Sequence, residues 1–194
     1  MSAFYAFINR LKYINRWSLM RKTRDENVME HSAMVAMFAH ALAVLHTQLT
    51  GEQVNADRVG MIALYHETGE VITGDMPTPI KYFNDDITRA YKEIERQSEN
   101  KLVNTLPPEL KGTITDLLVG SEIETILVKY ADKLAAYVKC IEELSQGNKE
   151  FAEAEKATKK TLKGYNSPAV DYFMDNFVSA YSLSLDKLSE KLAD

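Results

Sequence analysis

The chain has 194 residues, 45% of them hydrophobic, with 23 Lys and Arg against 28 Asp and Glu. That length and composition suit one ordinary domain, spanning residues 1–194, and exclude a disordered chain. A net charge of −5 argues against nucleic-acid polymers or anionic membranes as partners, and the single cysteine, Cys140, excludes an internal disulfide. The first residues carry Arg10 and Lys12 and lack the compact apolar segment and cleavage site of a signal peptide. The longest near-apolar run, Ala33 to Leu45, is interrupted by His40 and falls short of the roughly 20 residues that span a bilayer. A cytoplasmic setting is expected.

Helical spacing of apolar residues recurs along the chain. Phe4, Phe7, Ile8, Leu11 and Ile14 predict a first helix, ended by Asn15-Arg16-Trp17-Ser18. A second runs from near Asn27 to about Leu45 on the stripe Met34, Val35, Phe38, Leu42 and Leu45, with His31 in phase near its start. Gly51 and Asn55 mark a turn and a helix start, and the third helix is expected over Asn55 to about Ile72. Gly74, Pro77 and Pro79 predict a loop over Thr73 to Asn84. Further helices are expected from Asp86 to about Leu106 and from Glu109 to Leu118. Ser121 and Glu124 form a capping-box signature before a long helix that ends at Gly147-Asn148 and carries Asp132. Phe151 to about Leu162 and Val170 to Leu192 complete the set, the latter as one helix or two. Strand-length alternation is missing, so the expected fold is an all-α, single-domain helical bundle.

Four features bear chemistry: His31, the His66-Glu67 pair, Glu70 and Asp132. Each has a plainer explanation. A lone histidine on an apolar face is commonly a hydrogen-bonded core residue, Asp132 has Lys129 and Lys133 as neighbours to pair with, and Glu70 suits a solvated helix end. Their coincidence is more telling. Three helices each offer a metal-type side chain at an apolar position, and a bundle can bring them together around one divalent first-row ion. On a continuous third helix, His66 and Glu70 would lie one turn apart on the face of Val59, Ile62 and Ala63. His40 and His46 have no such company.

The order His31, His66-Glu67, Asp132 resembles that of the HD-domain metallophosphohydrolases, and more closely the bacterial YfbR-type 5′-deoxynucleotidases. The resemblance covers nearly the whole chain. It rests on Arg16-Trp17, on Glu30-His31-Ser32, on Gly69-Glu70 with Thr73-Gly74-Asp75-Met76-Pro77-Thr78-Pro79, on Lys129-Tyr130-Ala131-Asp132, on Lys139 to Leu144, and on Asp171-Tyr172-Phe173-Met174. It implies an HD-type bundle that hydrolyses deoxyribonucleoside 5′-monophosphates with one divalent metal of the Co, Mn, Zn, Ni, Cu or Fe class. His31, His66, Glu67 and Asp132 would ligate the metal, with His31, Glu67 and Asp132 also facing substrate. Glu70 would be the acid/base and Arg16 would bind phosphate. Trp17, Asp75, Met76, Pro77 and Thr78 would line the sugar pocket, with Trp17 helping to exclude a ribose 2′-hydroxyl. A homodimer is implied too.

Position 67 departs from the family pattern, which has Asp there. The extra methylene of Glu moves the carboxylate by about one carbon–carbon bond, so the sequence predicts an imperfect fourth ligand and a slowed site that Asp would improve, the alternative being helices shifted to suit Glu, where Asp would fall short of the metal. Two other functions compete: an HD-type deoxynucleoside triphosphate triphosphohydrolase, and a catalytically weak nucleotide-binding protein. A purely structural bundle is a third possibility.

Overall fold

The computed structural model describes residues 1–192. Eleven α-helices are present there, with three short 3-10 segments. Among the described residues the only extended pairing is an isolated antiparallel bridge between Asn15 and Asn27.

The core forms where the apolar stripes of three helices meet. Helix α2 (Val28–Thr50) starts at Asn27, whose side chain accepts a hydrogen bond from the Glu30 amide, and ends at Gly51 in the left-handed region with φ 80°. It is long and apolar enough by length and composition to cross a membrane. Here, however, Val28, Val35, Phe38, Ala39 and Leu42 are buried in the protein core. Helix α3 (Ala56–Tyr65), capped by Asn55, brings Val59, Ile62 and Ala63 against α2. Helix α8 (Glu122–Ser145) opens with the expected Ser121–Glu124 capping box and contributes Leu127, Ala131, Leu134 and Val138. Arg58 locks α3 to these elements through Glu124 at 2.9 Å and Asp116 at 2.6 Å.

Around this core pack α1 (Phe4–Ile8), α4 (Glu70–Thr73), α5 (Thr78–Lys81), α6 (Asp85–Val103), α7 (Pro108–Val119), α9 (Ala152–Lys163), α10 (Pro168–Asn176) and α11 (Leu185–Glu190). Three expectations need correction. The first helix changes to 3-10 geometry over Asn9–Tyr13. The Thr73–Asn84 loop contains α5, which begins beside Pro77 and Pro79 because proline is tolerated in a first turn. The third helix is not continuous: α3 stops at Tyr65, and α4 starts at Glu70. The reason is local. The Thr68 hydroxyl and amide both donate to the Tyr65 carbonyl, at 2.7 and 3.0 Å, diverting it from the helical ladder. Gly69 lies so close to α6 that a Cβ would stand 3.3 Å from the Glu95 carbonyl oxygen.

Candidate metal centre and substrate pocket

The break between α3 and α4 builds the site. His66 becomes the C-cap of α3, and its Nδ1 lies 2.6 Å from the Ala63 carbonyl oxygen. A carbonyl only accepts, so Nδ1 carries the proton and Nε2 presents a lone pair. Helix α2 supplies His31 from its first turns and α8 supplies Asp132 from its middle. One ligand atom each from His31, His66, Glu67 and Asp132 lie within 4.8 Å of one another.

The donor set fits a divalent ion. Nε2 of His31 and Nε2 of His66 are both buried with no hydrogen-bond partner, although Asp132 Oδ1 is 3.0 Å from the first and Glu67 Oε1 is 3.2 Å from the second. The nitrogens and carboxylates converge without aiming hydrogen bonds at one another. Two imidazoles and two carboxylates can chelate one first-row metal. The carboxylates are held ionised for that task. Burial alone would raise Asp132, but His31 and Arg16 outweigh it and hold it below the usual range. Burial is similarly overcome at Glu67, chiefly by His66, which holds it at about 2. His66 itself is raised, its burial outweighed by Glu67 and Asp132.

Glu70, at the first turn of α4, is 2% exposed, with Oε2 lacking a hydrogen-bond partner. Burial first, then the charges of Glu67 and Asp75, push its carboxyl well above the ordinary range. The expected one-turn relation to His66 on a single helix does not exist, yet the turn over 66–69 still points both groups into one site. Asp132 does not take the plainer route either: its ionic neighbours are His31 at 3.0 Å and Arg16 Nη2 at 4.0 Å, rather than Lys129 or Lys133.

Beside this cluster lies a pocket of about 490 Å³, lined by Arg16, Trp17, Glu67, Glu70, Asp75, Met76, Pro77, Thr78 and Asp132. Arg16 and Trp17 follow the bridge at Asn15 and reach it from the loop before α2. Trp17 adopts φ 58°, sparsely populated for a residue with a side chain. The Asp75–Thr78 segment is fixed by Tyr91, whose hydroxyl donates to the Gly74 carbonyl at 3.0 Å. His40 and His46 lie elsewhere, against Asp57 and Glu52.

The sequence profile of the YfbR-like 5′-deoxynucleotidases matches residues 3–181. The chain belongs to this family. It is 50% identical over 192 residues to a 5′-deoxynucleotidase of Klebsiella pneumoniae, covering 97% of this chain and 96% of the relative. It is 52% identical, also over 192 residues, to one of Yersinia pestis, covering 97% and 98%. The fold is shared with an HD-domain phosphohydrolase from Listeria innocua, with a TM-score of 0.79 at 22% identity over 98% of this chain and 96% of that one. It is also shared with a cyanophage S-2L HD phosphohydrolase bound to dA and one catalytic Zn²⁺ ion, with a TM-score of 0.60 at 19% identity over 91% and 95%.

Several pocket residues of this YfbR-like chain escaped motif reasoning. Lys81 lines the pocket while paired to Glu95 at 3.1 Å and set over the Tyr91 ring at 5.0 Å. Ala154, Ala157, Thr158 and Thr161 of α9 also line it. Their small side chains at helical spacing in an otherwise charged segment were a readable signal. Glu26, which lies outside this pocket but touches Arg16, Trp17 and His31, had no such signal.

Proposed function

We propose that this chain is a metal-dependent 5′-deoxynucleotidase, releasing inorganic phosphate from deoxyribonucleoside 5′-monophosphates. The observation that carries the reading is the adjacency of the four-ligand cluster to a pocket walled by Arg16 and Trp17. His31, His66, Glu67 and Asp132 hold the ion. When bound, a divalent ion acidifies a coordinated water and neutralises charge on phosphate. Arg16 offers its planar fork to the phosphate, a task suited to bidentate contact. Glu70, whose buried carboxyl is protonated in the ion-free site, would give up that proton under the charge of a bound ion and then serve as the acid/base that takes a proton from the attacking water. Trp17 walls the sugar, and Asp75 accepts from the sugar hydroxyl beside Met76, Pro77 and Thr78.

A triphosphate substrate is the second enzyme reading. The pocket's cations, Arg16, Lys81 and Lys133, face Glu67, Glu70, Asp75 and Asp132, a balance that favours the smaller phosphate group. The deciding experiment incubates the metal-loaded protein with panels of deoxy- and ribonucleoside mono- and triphosphates. Inorganic phosphate released preferentially from deoxy-monophosphates supports the reading. Inorganic triphosphate from triphosphates, or tight binding with no turnover, ends it.

We further propose a cytoplasmic homodimer. Tyr172 on α10 and Phe177 just after it, both more than 40% exposed, support a partner surface there, whereas Phe173 turns into the core. Light scattering of the purified protein tests the assembly.

A further inference from the structure

We propose that Glu26 is a positioning residue that couples the metal-ligand geometry of His31 to phosphate and sugar recognition by Arg16 and Trp17. One carboxylate serves all three side chains. Its Oε2 accepts a hydrogen bond from Trp17 Nε1 at 3.0 Å. Its Oε1 lies 3.3 Å from Arg16 Nε and 3.3 Å from His31 Nδ1, close charge contacts that fall short of hydrogen-bond geometry. Asp132 touches His31 and Arg16 from the metal side, whereas Glu26 touches those two and Trp17 as well. The inference rests on the reading of Arg16 and Trp17 given above, but its link to His31 does not.

The backbone fixes this carboxylate in place. The Arg16 amide donates to the Glu26 carbonyl at 2.9 Å, and Asn15 bridges Asn27. Behind it, Lys139 Nζ donates to the Arg24 carbonyl at 2.9 Å, and the Thr23 amide donates to Glu143 at 2.8 Å. Glu26 lines a neighbouring cavity of about 770 Å³ together with His31 and is absent from the pocket lining that includes Arg16 and Trp17, so its side chain meets that pocket through those neighbours.

Its chemistry matches the position. A carboxylate beside Nδ1 favours the tautomer whose Nε2 lone pair faces the metal, and such partners orient ligating histidines. The same negative charge opposes the Arg16 guanidinium and holds its Nε edge, leaving the Nη edge towards Asp132 and the pocket. The hydrogen bond to Trp17 holds an indole whose backbone sits in the left-handed region. A neutral amide at position 26 has one acceptor oxygen. It can serve the indole or the Arg16–His31 side, and its NH₂ group opposes donors on the other.

The test compares Glu26→Gln and Glu26→Asp with the parent full-length protein. Three quantities are read: zinc affinity by competition with a chromophoric chelator, emission of Trp17, which is the only tryptophan, and the ratio of kcat/KM for deoxy- over ribonucleoside monophosphate. Glu26→Gln is expected to weaken zinc by about 10- to 100-fold, the usual effect of removing a partner of a ligating histidine. It also shifts Trp17 emission and lowers the deoxy preference. Glu26→Asp, which keeps the charge and shortens the reach, gives smaller changes of the same sign. Zinc affinity within twofold of the parent, or a zinc defect with unchanged Trp17 emission, overturns the coupling. The zinc and fluorescence readings need no turnover, so a parent without deoxynucleotidase activity defeats the proposed function while these two arms still decide the role of Glu26.

Discussion

Nε2 of His31 stands 3.0 Å from Oδ1 of Asp132, yet that nitrogen is buried without a hydrogen bond. Two side chains from α2 and α8 are thus pressed together without satisfying each other, at the centre of a set that includes His66 and Glu67. A buried polar atom left in this state costs about 1–3 kcal/mol unless something completes it.

Metal removal is therefore expected to destabilise the protein. Binding to the native state alone contributes about 2.7 kcal/mol at a free ion concentration 100 times Kd. Thermal melts with chelator, then with zinc, manganese or cobalt restored, measure this. Identical midpoints with and without chelator would favour the purely structural bundle.

Glu70→Gln keeps shape and removes the titrating acid/base. Turnover should fall by about 100- to 10,000-fold, while metal content and nucleotide binding stay near those of the parent. Activity and metal analysis on the same preparation check it. Parent-like turnover would remove Glu70 from the reaction.

At position 67 the geometry favours the adapted site, the second of the two outcomes the sequence allows. The Glu67 carboxylate already reaches into the ligand set, with Oε1 3.2 Å from His66 Nε2, on a turn that no longer belongs to α3. Shortening it withdraws the oxygen by about one carbon–carbon bond, beyond the roughly half ångström such sites tolerate. Glu67→Asp should bind metal more weakly and turn over more slowly than the parent. Tighter metal and faster turnover would restore the view of Glu67 as a misplaced ligand.

Trp17→Ala should reduce the preference for deoxyribose over ribose. The indole lines the pocket and is held by Glu26 and by Phe151, whose ring lies 5.3 Å away. An unchanged deoxy-to-ribo ratio of kcat/KM would take Trp17 out of sugar selection.

The loop carrying Arg16 depends on a buried pair. Glu143 accepts from Lys139 at 2.6 Å, from the Thr23 amide at 2.8 Å and from Asn148 at 2.8 Å. Burial alone would raise its carboxyl, but these donors outweigh it and hold it at about 2, against an ordinary 4.5. A folded pKa below the unfolded one means that the contribution is complete above about pH 4.5 and is lost as pH falls from there to about 2. Glu143→Ala, which strands Lys139, should cost about 3–5 kcal/mol at neutral pH in denaturant melts. That deficit should shrink as the pH is lowered through about 4. A deficit independent of pH would assign it to packing instead.

The amino-acid sequence by itself determined the all-α class, the main helices and the ligand residue types, because these follow from local physics. Apolar spacing marks α2, α6 and α8, while Asn27, Asn55 and Ser121 announce their helices through side chains that reach only a few residues along the chain. The metal-type residues His31, His66, Glu67 and Asp132 were legible for the same reason: each sits on or beside such a stripe. Only the tertiary structure decided how they meet. Helical periodicity runs through His66 without a flaw, but α6 presses on Gly69 and Thr68 takes the Tyr65 carbonyl, so α3 ends and the site forms on the turn. Likewise Glu26 is an unmarked carboxylate in the sequence. Its role arises from the pairing of Asn15 with Asn27, which folds the loop back and brings Arg16, Trp17 and His31 to one side chain. Contacts of that kind depend on distances in space that no local pattern encodes.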